Sequence, residues 1–375
     1  MISFAPLIHE NLSSDIQYSV DDVFTVSKLH ALELAGHDIS RVKYHWKESV
    51  FDNVIWNVEP TESIQSMVDR HVKNIREIYD YIALWFSGGY DSFTILKAFI
   101  RNGLKIDELL LQHRDWHVGV NYLDYKTALD SAIMVKKLWL PDVKITTVNW
   151  GNKNAVIDFY KDDGLDWIYN SGGLSRISQN SRAMLYEKNP NIKKSLDRPG
   201  RNIQINGHDK PRVNLRDGHW YSARPDSMFY QESQEWCLQF WFLPDLYVKQ
   251  TWMMINWLET LNQTNHDFVH VLQSHAIDDD LYMKWNLAMG RDIPLFPFSR
   301  GRGHKQSFSN GIDSPEALPL LKSIESSHQE IYRRYKLGAD HLSQIDQQIR
   351  DSGNHNVLLS KHYFIKSFTK HTKEI

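Results

Sequence analysis

One stretch constrains the fold more than any other: residues 81–103, YIALWFSGGYDSFTILKAFIRNG. An apolar run over residues 82–86 reads as a strand buried on both faces, as in a parallel sheet. It breaks at Ser-Gly-Gly-Tyr-Asp-Ser, residues 87–92, and a helical pattern follows. Backbone N–H groups in such a strand-to-helix turn point outward and meet the positive end of the helix macrodipole, which favours a phosphate-sized anion. Gly88 and Gly89 permit positive φ and keep side chains out of a ligand's way. Ser87 and Ser92 add hydroxyl donors, and Asp91 suits a Mg²⁺ ion shared with phosphate oxygens.

Strand-like and helix-like segments go on alternating. IDELLLQH (106–113) precedes the helical stretch 122–140, VKITTVNW (143–150) follows, and NIQING ends at Gly207. This alternation predicts an α/β fold, a parallel sheet with helices on both faces. Residues 1–80 read as an N-terminal α+β extension: a helix over 20–36, a hairpin over 42–60, and a helix from Thr61 as N-cap. Residues 81–260 carry the sheet. Residues 261–375 read as a helical C-terminal region, interrupted by a Gly-, Ser- and base-rich loop at 296–311.

At 375 residues, two domains or one decorated domain is the expectation. A net charge of -3 gives no global pull toward nucleic acid or anionic membrane. A single cysteine, Cys237, rules out an intramolecular disulfide and a CxxC zinc site. The start of the chain lacks the pattern of a secretory signal, and no run reaches the roughly 18 apolar residues of a membrane helix. A cytoplasmic protein is the expectation.

The 87–92 turn has no lysine after its glycines, as a Walker A loop requires, and no GxGxxG spacing. SGGYDS after an apolar strand resembles the SGGxDS signature of the PP-loop ATP pyrophosphatases, the adenine-nucleotide alpha-hydrolase-like superfamily. Asparagine synthetases and phosphoadenosine phosphosulfate reductases are among its branches. The resemblance covers residues 80–260. It implies ATP and Mg²⁺ as cofactors and an adenosine-binding edge on the second strand. By that likeness Ser87, Gly88, Gly89, Tyr90, Asp91 and Ser92 hold the pyrophosphate, with Asp91 on the metal. Leu111, Gln112 and His113 are candidate neighbours of adenosine.

A second constellation, NGHDKPR, follows residues 202–206. Sites in open α/β sheets gather at carboxyl strand ends. Gly207, His208 and Asp209 resemble the Gly-His-acidic turn of several superfamily members, and Lys210 and Arg212 would neutralise a leaving pyrophosphate. A solvated loop is the competing reading. Lys249, early in a helix, is either a phosphate ligand or an ordinary surface lysine. Arg176, Arg182 and Lys188, and the loop residues Arg300, Arg302, His304 and Lys305, are either anion contacts or surface charge. Trp236, Trp241, Trp252 and Trp257 form either core or a stacking platform.

Absences separate the branches. Cys237 lies in an aromatic run that predicts an inert, buried thiol. The chain opens Met1-Ile2, without a glutaminase cysteine. The expectation is an AMP-forming ligase or amidating synthetase that adenylates an unidentified acceptor carbonyl or carboxylate and takes an amine, or ammonia from a partner protein. Two alternatives stand: a reductase-like or sulfur-transfer relative without a redox cysteine, and a non-catalytic nucleotide-binding protein.

Overall fold

The computed structural model describes residues 16–25, 28–113, 120–149, 196–207, 211–224, 237–261, 279–295 and 358–368, with a few further positions between 194 and 353. Its centre is a five-stranded, all-parallel sheet: β4 (Tyr81–Trp85), β5 (Glu108–His113), β6 (Lys144–Asn149), β7 (Asn202–Asn206) and β10 (Cys237–Gln239). The order is β10-β7-β4-β5-β6. Neighbours run parallel throughout, with Ala83 opposite both Glu108 and Gln204.

The chain steps from β4 to β5 to β6 in one direction, then returns to place β7 on the other side of β4. The strand order therefore reverses between β4 and β7. Such a switch point opens a crevice beyond the carboxyl ends of the strands.

Helix α4 (Tyr90–Arg101) links β4 to β5, and α5 (Val120–Leu138) links β5 to β6. Two right-handed crossovers in one direction put both helices on one face. Their buried Phe93, Leu96, Ala128 and Ala132 share a core with Ile82, Leu84, Leu109 and Leu111. The alternate residues Ala83, Trp85, Leu110, Val148 and Cys237 form a smaller cluster on the opposite face.

An antiparallel sheet precedes this unit, in the order β2-β1-β3: β1 (Ile16–Val20), β2 (Val23–Thr25) and β3 (Lys43–Trp46). Here the structure corrects three sequence expectations. Residues 20–25 turn through Asp21 and Asp22 into β2, so helix α1 begins only at Lys28 (Lys28–Leu34). The segment 42–60 is no hairpin: β3 pairs with β1, Lys47 adopts a left-handed conformation at φ 48°, and the short helix α2 (Glu48–Phe51) follows. Helix α3 (Ile64–Ile78) is capped by Ser63, whose hydroxyl accepts from the Ser66 N–H at 3.2 Å, and not by Thr61.

Past β7 the chain forms the hairpin β8 (Val213–Arg216) and β9 (His219–Ser222). Strand β11 (Tyr363–Ser367) adds to β9 antiparallel, so the C-terminal region is not purely helical. Helices α6 (Pro244–Thr260) and α7 (Asp279–Ala288) complete the described elements.

One continuous apolar core runs from Ile16 to Ile365 and crosses the positions 80 and 260 without a break. Aromatic rings join its parts. Trp46 stacks on Phe51 at 4.6 Å, and Trp56 stacks on Tyr363 at 4.5 Å. Trp241 is fully buried, Trp252 donates its indole N–H to the Trp56 carbonyl, and Trp257 meets Trp285 edge-on. These three tryptophans are core; Trp236 lies outside the described residues. Among the described residues no helix is long and apolar enough to cross a membrane.

Candidate nucleotide site

Strand β4 is buried because it is the middle strand, with β7 and β5 bonded to its two edges. Its ladder continues one residue further, where the Phe86 N–H donates to the Leu110 carbonyl at 2.9 Å. The chain then leaves the sheet. Gly88 takes a left-handed conformation at φ +69°, and Gly89 becomes the N-cap of α4 with no side chain capping it. The first N–H groups of a helix have no partner within it. This end therefore offers backbone donors and a positive dipole at the crevice between β4 and β7.

The two serines cross-brace the turn. The Ser87 N–H donates to Ser92 Oγ and the Gly89 N–H donates to Ser87 Oγ, both at 3.3 Å. Ser92 Oγ donates to the Gly89 carbonyl at 3.3 Å, and the two hydroxyls lie 3.2 Å apart. These contacts are long for O–H donors, so an incoming anion displaces them at little cost. Ser87 is exposed and Ser92 is buried.

Gly88 lies against α5. A Cβ on it would sit 3.2 Å from Ser131 Oγ and 3.4 Å from the Ala128 backbone. That Ser131 hydroxyl is buried and has no hydrogen-bond partner among the described residues. The other flank is closed by Gly207, immediately after β7. Its Cβ would fall 2.8 Å from Ile95 Cδ1 and 3.3 Å from the Ser92 nitrogen. The end of β7 thus rests on the first turn of α4, and Gly207 is the residue of the second constellation that meets the first. His208, Asp209 and Lys210 lie outside the described residues.

Asp91 sits in the first turn of α4, where a carboxylate complements the helix dipole. Its Oδ1 accepts from Arg291 Nε at 2.7 Å. The Arg291 side chain is fully buried. Its Nη2 donates to Gln250 Oε1 at 2.7 Å, and its guanidinium lies 3.4 Å from the centroid of the Trp241 ring. Nη1 has no hydrogen-bond partner among the described residues. Burial pushes this guanidinium's pKa down, and the charge of Asp91 pushes it back. The next residue reinforces the contact, since the Asp292 N–H donates to Thr94 Oγ1 at 2.8 Å.

The remaining expected residues divide. Tyr90 is buried and meets Tyr282 of α7 edge-on at 5.7 Å, so its ring faces protein. Leu111 is core. Gln112 and His113 are half-buried at the carboxyl end of β5, and the His113 ring lies 4.6 Å from Tyr125. Arg212 opens the β8–β9 hairpin, where its carbonyl accepts from Ser222 Oγ and the Ala223 N–H at 3.2 Å. Lys249 is tied to the N-terminal region: its ammonium donates to Glu59 Oε1 at 2.7 Å and to the Pro60 carbonyl at 2.9 Å. Burial pushes the Cys237 thiol up to about 12, as the inert-thiol reading requires. Arg176, Arg182, Lys188, Arg300, Arg302, His304 and Lys305 lie outside the described residues.

Sequence reading missed Arg291, Gln250 and Ser131. Nothing local marks Arg291, whose burial is made possible by a carboxylate 200 positions away. An anion fits this turn, because its helix end has no side-chain cap and the buried Ser131 hydroxyl beside Gly88 has no partner among the described residues. A metal on Asp91 fits it poorly, because that carboxylate already serves a buried guanidinium. Among the described residues no three His, Cys, Asp or Glu side chains gather as a metal-ligating group. No protein-family model matches the sequence, and no curated protein matches it.

Proposed function

We propose that the chain is an ATP-using, AMP-forming enzyme of the PP-loop pyrophosphatase kind, with its nucleotide on the 87–92 turn. The observation that carries this reading is the uncapped α4 N-terminus, reached through left-handed Gly88 at the strand-order reversal. The likeness of SGGYDS to the SGGxDS signature supplies the choice of nucleotide and of bond.

In this reading the backbone donors of the turn hold the β- and γ-phosphates, and magnesium travels on the phosphate oxygens. A carboxylate or carbonyl oxygen of the acceptor attacks the α-phosphorus. The bond from that phosphorus to the bridging α–β oxygen breaks, and pyrophosphate departs with the electron pair. An amine or ammonia then displaces AMP to form a C–N bond. Charge spreads onto the leaving pyrophosphate, where preorganised donors matter most.

Incubation with ATP labelled at the α-phosphate, with candidate acids and ammonium, tests the reading. AMP and pyrophosphate are the expected products. ADP as the sole product would end it, and binding without turnover over all acceptors would leave the nucleotide-binding alternative standing.

A further inference from the structure

We infer that Arg291, and not a divalent cation, is the partner of Asp91, and that Arg291 is a positioning residue of the nucleotide turn. The inference rests on the reading of that turn as an ATP site. It departs from it in one respect, since the likeness to PP-loop enzymes would put a metal on Asp91.

The pair is built in. Arg291 is fixed at three places besides Asp91: Nη2 on Gln250, the guanidinium plane against Trp241, and its own N–H on the Asn286 carbonyl at 3.0 Å. The following N–H is bonded to Thr94 of α4. A guanidinium held this way does not swing clear to release its carboxylate. Nor does Asp91 leave it cheaply, because a buried cation that loses its partner is strongly destabilising. A divalent ion on the other Asp91 oxygen would be repelled by the nearby guanidinium, across a site where burial weakens screening.

The arrangement also has a use. Asp91 lies in the first turn of α4, so this ion pair helps to hold the turn that presents the anion donors, beside the Asp292–Thr94 bond. The pair is net neutral, so what it offers an anion is a fixed donor and not a net charge. Nη1 of Arg291 is the buried donor left over.

The test is calorimetric titration of the full chain with ATP and with pyrophosphate, in Mg²⁺ and in EDTA. It is repeated for R291M, R291K and the double variant D91N/R291M, with the stability of each measured by denaturant. The wild type is expected to bind both ligands in EDTA within about threefold of its affinity in Mg²⁺, because Asp91 is engaged by Arg291 and holds no metal. R291M should lose stability and about tenfold or more in EDTA affinity, the worth of one charge-assisted contact. R291K keeps the charge and should recover part of both. D91N/R291M leaves no buried orphan charge, so it should regain stability without regaining affinity. A purely structural pair would not give that split.

Wild-type binding that collapses in EDTA overturns the inference alone. So does wild-type affinity in a well-folded D91N/R291M protein. Absence of ATP and pyrophosphate binding by the wild type in both buffers overturns the ATP reading, and the inference with it.

Discussion

At the amino ends of the parallel strands, Glu108 accepts from the Tyr81 hydroxyl at 2.9 Å, from Lys144 at 2.5 Å and from Thr146. Asp107 accepts from the Ile82 N–H at 2.9 Å and from Arg76 at 2.8 Å, with Lys105 at 2.9 Å. At the carboxyl ends of the same strands stand two close-packed glycines, a helix end without a side-chain cap, and the buried Ser131 hydroxyl, which has no partner among the described residues. The amino edge is thus built of carboxylates that hold cations, although Asn202 Oδ1 and Arg198 Nε there have no partner among the described residues, while the carboxyl edge presents backbone donors and a helix end. An edge of carboxylates repels an anion and an edge of backbone N–H groups attracts one, so substitutions at the amino edge are expected to act on stability and those at the carboxyl edge on anion binding.

The largest effect expected of this contrast is at Gly88. A valine there would be β-branched at φ +69°, with its Cβ against Ser131 and Ala128. A non-glycine residue in that conformation costs about 1–2 kcal/mol. The displaced donors of the turn should cost ATP affinity about a hundredfold, on the scale of losing a preorganised anion donor. Titration calorimetry reads the affinity and denaturant unfolding the stability. Gly88→Val that binds ATP like the wild type would erase the distinction between the two edges.

Asp107→Asn probes the opposite edge and should show the opposite split. Its loss of a charged partner for Arg76 should cost about 1–3 kcal/mol of stability, with ATP affinity unchanged. Burial pushes the Asp107 carboxyl up, but the Ile82 N–H, Arg76 and Lys105 outweigh it and hold the pKa below the ordinary value. A lowered folded pKa gives stability that is fully present above the unfolded value of about 3.9 and is lost as pH falls through the folded one. The gap in unfolding free energy between wild type and Asp107→Asn should therefore close as pH is lowered below about 4. A gap that stays constant across that range would show that the carboxylate's charge has no part in the network.

The legible parts of this molecule were those whose cause is local. Strands β4 and β5, helices α4 and α5, and the 87–92 turn follow from apolar periodicity and a glycine pair within a few residues of each other. The β8–β9 hairpin carries a local signal too, Asp217-Gly218 between alternating segments. The break after Trp46 had no such announcement, because Lys47 takes a left-handed conformation usually marked by glycine or asparagine. Arg291 was invisible for a different reason. A buried arginine depends on a partner, and Asp91, Gln250 and Trp241 come from three distant segments. Long-range charge pairing leaves no periodicity to read.

The smallest effect should come from Lys249, which the sequence offers as a phosphate ligand. Its ammonium bonds Glu59 and the Pro60 carbonyl, and Glu59 also accepts from Asn256 Nδ2 at 3.2 Å. Both Lys249 and Asn256 lie on α6, so the group fastens α6 to the residues just before α3. The neighbouring Gln250 of α6 is linked to the 87–92 turn through Arg291. Lys249→Met keeps the aliphatic stem and removes the charge. It should cost about 1 kcal/mol or less, the scale of a partly exposed ion pair. Glu59→Gln should cost about the same, and the double variant should cost less than the sum, since both remove one shared contact. ATP affinity and AMP formation should stay at wild-type levels in all three. If Lys249→Met abolishes AMP formation while stability and ATP affinity hold, then the lysine exchanges Glu59 for phosphate during turnover. The binding edge would then extend along α6, beyond the end of the sheet.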